Sequence, residues 1–225
     1  MKIVILAAGK GSRLGMDTPK ALVELTKGEK IIDLQIERLS KHISLENIFL
    51  VVGFMQEKVR ESHPELKYIF NERYDCTNTG KSLLKALEHI GTEDDILWLN
   101  GDVVFDAEII PKLIKTNESC VLVDNKKCDV EEVKYTTGST GYIDAISKTV
   151  SNPEGEALGI NIIKSKHLPL FKRHLIHIND DDYFEKAIEN MIKKDVIEII
   201  PVNVDGLFCH EIDFPQDLEY VKERV

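Results

Sequence analysis

The sequence predicts an α/β protein built on a doubly wound, mostly parallel sheet. Two observations lead to this prediction. Nearly continuous apolar runs alternate with segments of helical periodicity, and such runs are typical of strands that are covered on both faces. In addition, a glycine-rich turn at 9–11 and an acidic turn at 101–102 each follow an apolar run. Because parallel sheets bind ligands beyond the carboxyl ends of their strands, both turns are expected at the ligand-binding edge.

The first half of the chain has a regular strand–helix rhythm. The apolar run at 2–8 predicts the first strand. Ile32, Ile36, Leu39 and Ile43 then recur at helical spacing, which predicts an amphipathic helix. In order, the predicted elements are a strand at 2–8, a helix at 31–43, strands at 48–52 and 67–70, a helix at 83–90 and a strand at 96–99. Parallel strands joined in this way require right-handed crossovers.

The second half is more mixed. Its predicted elements are short strands at 120–123, 133–135, 142–146, 158–163 and 196–204, and helices at 165–174, 182–193 and 215–225. Pro215 suits the first turn of the last helix, where a backbone N–H has no partner to lose. No linker, internal repeat or low-complexity tract divides the sequence, so residues 1–225 are interpreted as a single domain with a small mixed subregion.

The composition limits the classes of partner. The 225 residues include 29 Lys and Arg against 39 Asp and Glu, a formal net charge of −10. This argues against nucleic acid, whose binding depends on an excess of positive charge. No apolar run approaches the ~20 residues of a membrane span, and the first residues lack the features of a signal peptide. The four cysteines form no C-x-x-C pair, which favours reduced thiols. We therefore expect a cytoplasmic protein without a membrane or nucleic-acid partner.

The glycine-rich turn suggests a phosphate site. Gly9 and Gly11 allow backbone amides to approach a phosphate chain, and Arg13 and Lys20 follow with positive charge. A dinucleotide-binding G-x-G-x-x-G is disfavoured because Leu14 stands where its third glycine belongs. A Walker A loop is absent from this segment. A purely structural turn would not account for the arginine and lysine.

Two distant aspartates suggest a magnesium site. Asp102 follows an apolar strand directly, and Asp213 lies near the C-terminus in EIDFPQDL. Magnesium prefers hard oxygen ligands and uses one or two carboxylates together with substrate phosphates. The alternatives are a simple turn carboxylate for Asp102 and a helix cap for Asp213. Glu211 and Asp217 are weaker candidates.

These motifs together resemble a known family. AAGKGSRLG at 7–15, followed by TPK at 18–20, is similar to the signature of the nucleoside-triphosphate-transferase superfamily. The resemblance implies a Rossmann-like nucleotidyltransferase fold and transfer of a nucleoside monophosphate to a phosphate group. It also implies that Arg13 and Lys20 are catalytic and that Asp102 and Asp213 hold Mg²⁺. The triphosphate loop would comprise Leu6, Ala7, Ala8, Gly9, Gly11, Ser12, Arg13 and Lys20, with Gly101 beside it.

The short gap between Gly15 and Pro19 resembles that of inositol-phosphate and methylerythritol-phosphate cytidylyltransferases, and two further stretches resemble bacterial choline-phosphate cytidylyltransferases and their relatives. One runs from Asn71 to Leu83, and the other comprises DVEEVK, ISK and GEALG between 129 and 159. The first implies that Asn78, Gly80 and Ser82 lie near the nucleotide, with Gly53 leaving room for the base. The second implies an acceptor site formed by Lys134, Lys148 and Glu156. The single tryptophan, Trp98, lies in a predicted core strand, so an aromatic cage for choline is not evident.

The resulting hypothesis is a Mg²⁺-dependent enzyme that transfers CMP from CTP to a small phosphomonoester and releases pyrophosphate. Residues 1–105 would form the nucleotide-binding half, and residues 106–225 the acceptor-binding and metal-completing half. The acceptor stays open among phosphocholine-like compounds, polyol phosphates, sugar phosphates and phosphorylated amino compounds. The alternatives are a UTP- or GTP-dependent sugar-1-phosphate enzyme, a non-catalytic nucleotide-binding subunit and a nicotinamide-dependent dehydrogenase. The protein is expected to be a monomer or a homodimer.

Overall fold

The computed structural model describes residues 1–26, 28–195 and 197–225. Within these ranges, the chain forms eleven strands and seven α-helices. The strands are β1 (Lys2–Ala7), β2 (Ile48–Val52), β3 (Lys67–Phe70), β4 (Ile96–Asn100), β5 (Val103–Phe105), β6 (Cys120–Asp124), β7 (Lys134–Thr137), β8 (Ile143–Ser147), β9 (Gly155–Ile163), β10 (Ile200–Asn203) and β11 (Cys209–Glu211). The helices are α1 (Ile31–Ser40), α2 (Gln56–Ser62), α3 (Thr79–Ile90), α4 (Ile109–Lys115), α5 (Leu168–His177), α6 (Phe184–Asp195) and α7 (Pro215–Lys222).

One large sheet joins strands from both halves of the chain. Its main path in the described residues is β10-β6-β9-β4-β1-β2-β3, and β7 and β8 extend from β9. β1 is parallel to β2 and β4, with Leu6 beside Val51 on one side and Asn100 on the other. β9 runs antiparallel to β4 and β6 and thereby connects the two parallel parts.

Each face of this sheet has its own apolar core. Along β1, Val4 and Leu6 point to the core formed with α3, α5 and α6, while Ile3 and Ile5 point to the core formed with α1 and α4. This alternation follows from the two-residue repeat of a strand. Burying a side chain of this size contributes about 1.5–3 kcal/mol, so the helices are held on both faces. The predicted doubly wound α/β fold is thus confirmed by the strand order and by both cores.

Trp98 is fully buried in the first core. Its ring stacks on Phe171 with a centroid distance of 5.3 Å and meets the edge of Phe184 at 5.4 Å. The prediction of a core position for Trp98 is confirmed.

A small two-stranded sheet brings the C-terminal segment to the edge of the large one. β11 pairs antiparallel with β5, so Glu211 lies opposite Val103. The Ile212 N–H then donates to the Asp102 carbonyl at 3.0 Å. The segment that carries Asp213 is therefore attached directly to the turn that carries Asp102.

The predicted elements agree with the structure except at several boundaries. The predicted strand at 196–204 is only partly observed: residue 196 lies outside the described residues, and β10 spans Ile200–Asn203. The helix expected from 165 begins as a 3-10 turn and becomes α-helical at Leu168. Four short elements of three to seven residues were not predicted from the sequence, namely α2, α4, β5 and β11. Of the described helices, none is long and apolar enough to cross a membrane.

Candidate active site

A cavity of about 640 Å³ opens at the carboxyl ends of β1 and β4. Its walls come from the N-terminal loop, the turn after β4, the segment around β11 and the second-half strands. The residues predicted for the site that line this cavity are Leu6, Ala7, Gly9, Gly11, Ser12, Arg13, Lys20, Asn78, Gly101, Asp102, Lys148, Glu156 and Asp213. The two parallel strands therefore bring the predicted glycine-rich and acidic turns to one place.

The N-terminal loop has a shape that requires glycine. Gly11 has a φ of +60°, and a Cβ at this position would lie 2.6 Å from Cγ of Lys20. The stem of Lys20 therefore packs across Gly11, where a side chain would displace it. Arg13 follows in a short 3-10 turn that is anchored by the buried side chain of Leu14. The loop thus presents two positive side chains to the cavity.

Lys20 connects the two predicted metal ligands. Its Nζ lies 2.8 Å from Asp102 Oδ2 and 2.6 Å from Asp213 Oδ1. Arg13 Nη2 lies 3.1 Å from the same oxygen of Asp213. Burial acts to lower the pKa of Lys20, but the charges and hydrogen bonds of the two aspartates raise it above its usual value. Lys20 is therefore a fully charged counterion to both carboxylates at neutral pH.

Backbone contacts hold both aspartates in place. Asp102 lies in the tight turn between β4 and β5, where the Gly101 N–H donates to the Leu6 carbonyl at 2.9 Å. Near the C-terminus, Asp217 Oδ2 accepts hydrogen bonds from the Asp213 and Phe214 N–H groups at 2.9 and 2.7 Å. Asp217 in the first turn of α7, rather than Asp213, therefore satisfies free N–H groups at the helix start. The Asp213 carboxylate is left to face the cavity.

The two aspartates fit a magnesium ion. Their oxygens are no more than 5.4 Å apart, the sum of the two distances to the shared ammonium. Both are hard oxygen donors that already surround a positive charge. Among the described residues, no group of three or more His, Cys, Asp or Glu side chains forms a complete protein site. Two carboxylates with room for phosphate oxygens is the ligand set that Mg²⁺ uses with nucleotides.

A polar pair forms the floor of the cavity. Asn100 Nδ2 donates to Glu211 Oε1 at 2.8 Å. A Cβ at Gly159 would lie 2.3 Å from that same oxygen, so the floor depends on glycine in β9. Burial and the nearby charge of Asp102 raise the pKa of Glu211 to about 8, against the effect of the Asn100 hydrogen bond. Burial beside Asp102 therefore favours the neutral form of Glu211.

The acceptor side of the cavity contains a second set of ion pairs. Lys126 Nζ lies 2.7 Å from Glu156 Oε2 and 3.3 Å from Glu132 Oε1. Burial raises the pKa of Glu156, although Lys126 opposes this. The predicted acceptor residue Glu156 thus lines the cavity but is already paired with Lys126.

Lys148 and Lys134, both predicted to bind the acceptor, differ in position. Lys148 Nζ lies 4.8 Å from the centroid of the Tyr183 ring and 3.3 Å from Glu131 Oε2, at the cavity wall. Lys134 is outside the cavity lining, and its Nζ donates to the carbonyls of Val130, Glu132 and Lys148. The Lys134 ammonium therefore links the backbone of two loops outside the cavity lining, and its role in acceptor binding stays a prediction.

Glu185 is an unexpected carboxylate in the cavity wall. It lies in the first turn of α6 and is 9% exposed. In the described part of the chain, its buried Oε2 atom has no hydrogen-bond partner. Burial raises its pKa to about 7, while its own backbone N–H and the charge of Lys148 act in the opposite direction. Such a group is suited to accept a hydrogen bond from a ligand.

The loop before α3 has a more structural role than expected. Asn78 lines the cavity, but its Oδ1 accepts from the Thr79 N–H and its Nδ2 donates to the Asp181 carbonyl. Gly80 packs against Ile178, where a Cβ would lie 2.5 Å from the Ile178 side chain. The Ser82 hydroxyl accepts from Asn71 inside the protein.

Gly53 and Ala8 also lie outside the described cavity lining. A Cβ at Gly53 would lie 2.4 Å from Cβ of Tyr74, so glycine allows Tyr74 to pack closely here, and the expected room for the base stays a prediction. The Ala8 carbonyl accepts from the Phe54 N–H at 3.0 Å. The structure therefore gives both positions packing roles at the end of β1 and β2.

Several residues that line the cavity were not predicted from the sequence, in particular Lys126, Tyr183 and Glu185. A signal existed for Glu185: it precedes the buried Ile188 by three residues, so it falls near the apolar face of α6. Lys126 offered no comparable signal, because it lies in a polar turn after β6 where charged residues are common.

The chain is similar to several known proteins in sequence and in fold. CTP:phosphoglutamine cytidylyltransferase of Campylobacter jejuni is 29% identical over 266 aligned positions that cover both chains completely. The bifunctional protein GlmU of Methanococcus maripaludis is 34% identical, but the match covers 73% of this chain and 39% of that protein. The solved structure of CTP:phosphocholine cytidylyltransferase (LicC) from Streptococcus pneumoniae has a TM-score of 0.77, with 22% identity, and the match covers 99% of this chain and 97% of LicC. This last likeness confirms the predicted fold.

A model of the MobA-like NTP transferase domain matches residues 3–176, which is more than half of the chain. The predicted resemblance to nucleoside-triphosphate transferases is therefore confirmed. The chain belongs to the family of MobA-like NTP transferase domains and is a nucleotidyltransferase.

Proposed function

We propose that this protein transfers CMP from CTP to a small phosphomonoester and releases pyrophosphate. The observation that carries the proposal is the meeting of Asp102 and Asp213 at the ammonium of Lys20, beside the glycine-rich loop. The choice of CTP rests on relatives and neighbours whose names specify CTP. The sequence-based expectations of a cytoplasmic monomer or homodimer remain predictions.

The reaction requires little covalent chemistry from the protein. A phosphate oxygen of the acceptor forms a bond to the α-phosphorus of CTP, and the bond to the pyrophosphate oxygen breaks. Because the acceptor phosphate is already ionised at neutral pH, no general base is needed. Catalysis then depends on alignment and on neutralising charge in the transition state.

The charged residues at the nucleotide end would provide this neutralisation. Arg13 presents a planar fork for phosphate oxygens, and Lys20 supplies a buried positive charge. Asp102 and Asp213 would hold Mg²⁺, which when bound neutralises charge on the triphosphate. Lys20 must then move its ammonium from the two carboxylates toward the phosphates, which the flexible lysine side chain allows.

The acceptor end favours a compound that carries a nitrogen. Among the described residues, five carboxylates line this end against the ammonium groups of two lysines. The carboxylates are Asp129, Glu131, Glu132, Glu156 and Glu185, and the lysines are Lys126 and Lys148. Glu185 has an unpaired oxygen, and the exposed ring of Tyr183 already lies beside one ammonium. A positively charged nitrogen beyond the phosphate would complement both groups.

The proposal is tested by measuring pyrophosphate release with CTP, UTP, GTP and ATP. Each is combined with phosphocholine, phosphoethanolamine, glycerol 3-phosphate, inositol 1-phosphate and glucose 1-phosphate. We expect CTP to be used with a nitrogen-bearing acceptor. Activity only with UTP or GTP and glucose 1-phosphate would instead support the sugar-phosphate alternative, and no activity with any pair would contradict the proposal.

Two variants connect the result to the site. Asp102→Asn keeps the shape of the side chain but removes one charge, so turnover should fall by about 10² or more, as for other preorganised charged groups. Asp205→Asn is a matched control, because Asp205 is an exposed aspartate paired with Lys112 outside the cavity lining. Equal turnover in the two variants would remove Asp102 from the mechanism.

A further inference from the structure

We propose that Gln35 is a positioning residue that sets the location of the Asp102 carboxylate and thereby the affinity of the site for a divalent cation. This inference rests on the proposed function, since it assumes that Asp102 holds the metal. Gln35 is remote from the glycine-rich and acidic motifs in the sequence. Its importance follows from what its side chain contacts in the structure.

Gln35 is a polar residue at a core position. It lies in the middle of α1 and is fully buried on the face that also carries Ile31, Ile32 and Leu39. A leucine or methionine at this position would pack without any polar group to satisfy. An amide in such surroundings is costly unless its polar atoms find partners.

The Gln35 amide nitrogen spans the turn that carries Asp102. Nε2 donates to the Asn100 carbonyl at 3.0 Å and to the Val103 carbonyl at 2.8 Å. These two residues flank Gly101 and Asp102, so both hydrogens of one amide hold the two sides of the turn. No other side chain in the described residues donates to both of these carbonyls.

The oxygen of the Gln35 amide, unlike its nitrogen, makes no hydrogen bond within the described residues. Gln35 Oε1 is buried and has no partner among the described residues. Desolvation without a hydrogen bond opposes folding, so the favourable polar contacts of this amide are those of its donor end. The donor end therefore accounts for the presence of glutamine here.

Loss of these two hydrogen bonds should shift the backbone of the turn and with it the Asp102 carboxylate. Without them, the Asp102 turn would be held by the Gly101 N–H to Leu6 and by the Ile212 N–H to the Asp102 carbonyl. Asn100 also carries the hydrogen bond to Glu211, so movement of this turn would disturb the cavity floor. Groups that orient metal ligands commonly change metal affinity by about 10–100-fold when they are removed.

The test measures cation binding directly. Mn²⁺ is titrated into the protein with CTP present and followed by electron paramagnetic resonance, and kcat, acceptor KM and Tm are measured in parallel. Gln35→Met, which has nearly the same shape but no donor, should weaken Mn²⁺ binding about tenfold or more. It should lower kcat while leaving the acceptor KM within about twofold, because the acceptor end is not contacted by Gln35.

Two further variants distinguish positioning from simple destabilisation. Gln35→Glu keeps the shape, and because burial favours the neutral acid, its carboxyl can donate one hydrogen to the turn. Its effect on Mn²⁺ binding should therefore be smaller than that of Gln35→Met. Ser119→Ala is the control: Ser119 is fully buried and accepts from the Lys164 N–H, but it lies outside the described cavity lining. It should lower Tm without changing Mn²⁺ affinity.

The outcomes separate this inference from the proposed function. Wild-type Mn²⁺ affinity in folded Gln35→Met and Gln35→Glu would overturn the inference, as would an equal loss in Ser119→Ala. If Gln35→Met does not fold, Gln35→Glu decides the question. Asp102→Asn must weaken Mn²⁺ binding in the same assay; if it does not, the proposed metal site itself is wrong.

Discussion

The nucleotide end and the acceptor end of the cavity are assembled in different ways. At the nucleotide end, Arg13 and Lys20 come from one continuous loop, and they meet carboxylates that follow β4 and β11. At the acceptor end, Lys126, Glu156 and Glu185 come from three separated segments that the antiparallel β9 and helix α6 bring together. A continuous motif can be recognised in a sequence, whereas side chains that are far apart in the sequence and meet only in the fold cannot.

The two ends also differ in how their charges are satisfied. Lys20 is paired with two aspartates, and these raise its pKa despite its burial. At the acceptor end, burial raises the pKa of Glu185 to about 7, because no cation lies close enough to compensate fully. At the nucleotide end, the charges of Arg13, Lys20 and the two aspartates are therefore paired without a ligand. At the acceptor end, Oε2 of Glu185 has no hydrogen-bond partner among the described residues and can accept one from a ligand.

The largest effect is expected from Lys20→Ala at the nucleotide end. Turnover should fall about 10²–10³-fold, because the positive charge that Lys20 would bring to the reacting phosphates is lost. The variant also leaves Asp102 and Asp213 as neighbouring negative charges without their shared ammonium. The rise in Tm on adding Mg²⁺ should therefore be larger than in the wild type. Pyrophosphate release and thermal melts measure the two effects.

Lys112→Ala is a suitable control for Lys20→Ala, since Lys112 pairs with the exposed Asp205 outside the cavity lining. It should change neither turnover nor the response to Mg²⁺. If Lys20→Ala retained wild-type turnover, Lys20 would have no role in neutralising charge at the nucleotide end, and the contrast between the two ends would fail.

This difference between the two ends explains which parts of the fold and of the candidate site could be predicted from the sequence. The parallel core and the edge location of Gly9 and Asp102 followed from apolar runs, because strand ends and turns are local properties. The convergence of Asp213 on Asp102 could be expected only through the family resemblance, since β11 is three residues long and gives no strand pattern. Lys134 and Lys148 looked equivalent in sequence; their different roles depend on which backbone carbonyls lie within reach.

A smaller effect is expected from Glu185→Gln at the acceptor end. The pKa of Glu185 is raised from 4.5 to about 7, so the folded protein binds this proton more tightly than the unfolded chain. Its contribution to stability is present below about pH 4.5 and is lost as pH rises to about 7. Glutamine does not titrate. The variant should therefore gain on the order of 2 kcal/mol relative to wild type between pH 5 and pH 8.

Glu189→Gln provides a control of opposite sign on the same helix. Burial acts to raise the pKa of Glu189, but hydrogen bonds from Lys186 and Lys193 lower it below its usual value. Its contribution is present at neutral pH and is lost as pH falls through the lowered pKa. Denaturant unfolding at several pH values measures both variants. A Glu185→Gln difference that stayed constant from pH 5 to pH 8 would show that this carboxylate is not held in its neutral form.

The smallest effect is expected from the two lysines that the sequence did not distinguish. Lys148→Met removes an ammonium at the cavity wall and should raise the acceptor KM about tenfold, as expected when one charged contact to a phosphate is lost. Lys134→Met removes three bonds to loop carbonyls, so it should lower Tm more than Lys148→Met while changing the acceptor KM less. Steady-state kinetics and thermal melts of both variants measure these differences.

The direction in which Lys148→Met changes the acceptor KM shows what Lys148 does at the acceptor end. Lys148 lies beside Tyr183 and its charge acts on Glu185, so it occupies the region assigned to the acceptor nitrogen. A higher KM for every phosphomonoester would indicate that Lys148 binds the acceptor phosphate. A lower KM confined to nitrogen-bearing acceptors would indicate instead that Lys148 competes with the acceptor for Tyr183 and Glu185. That outcome would contradict the predicted role of Lys148 in phosphate binding while strengthening the proposed acceptor class.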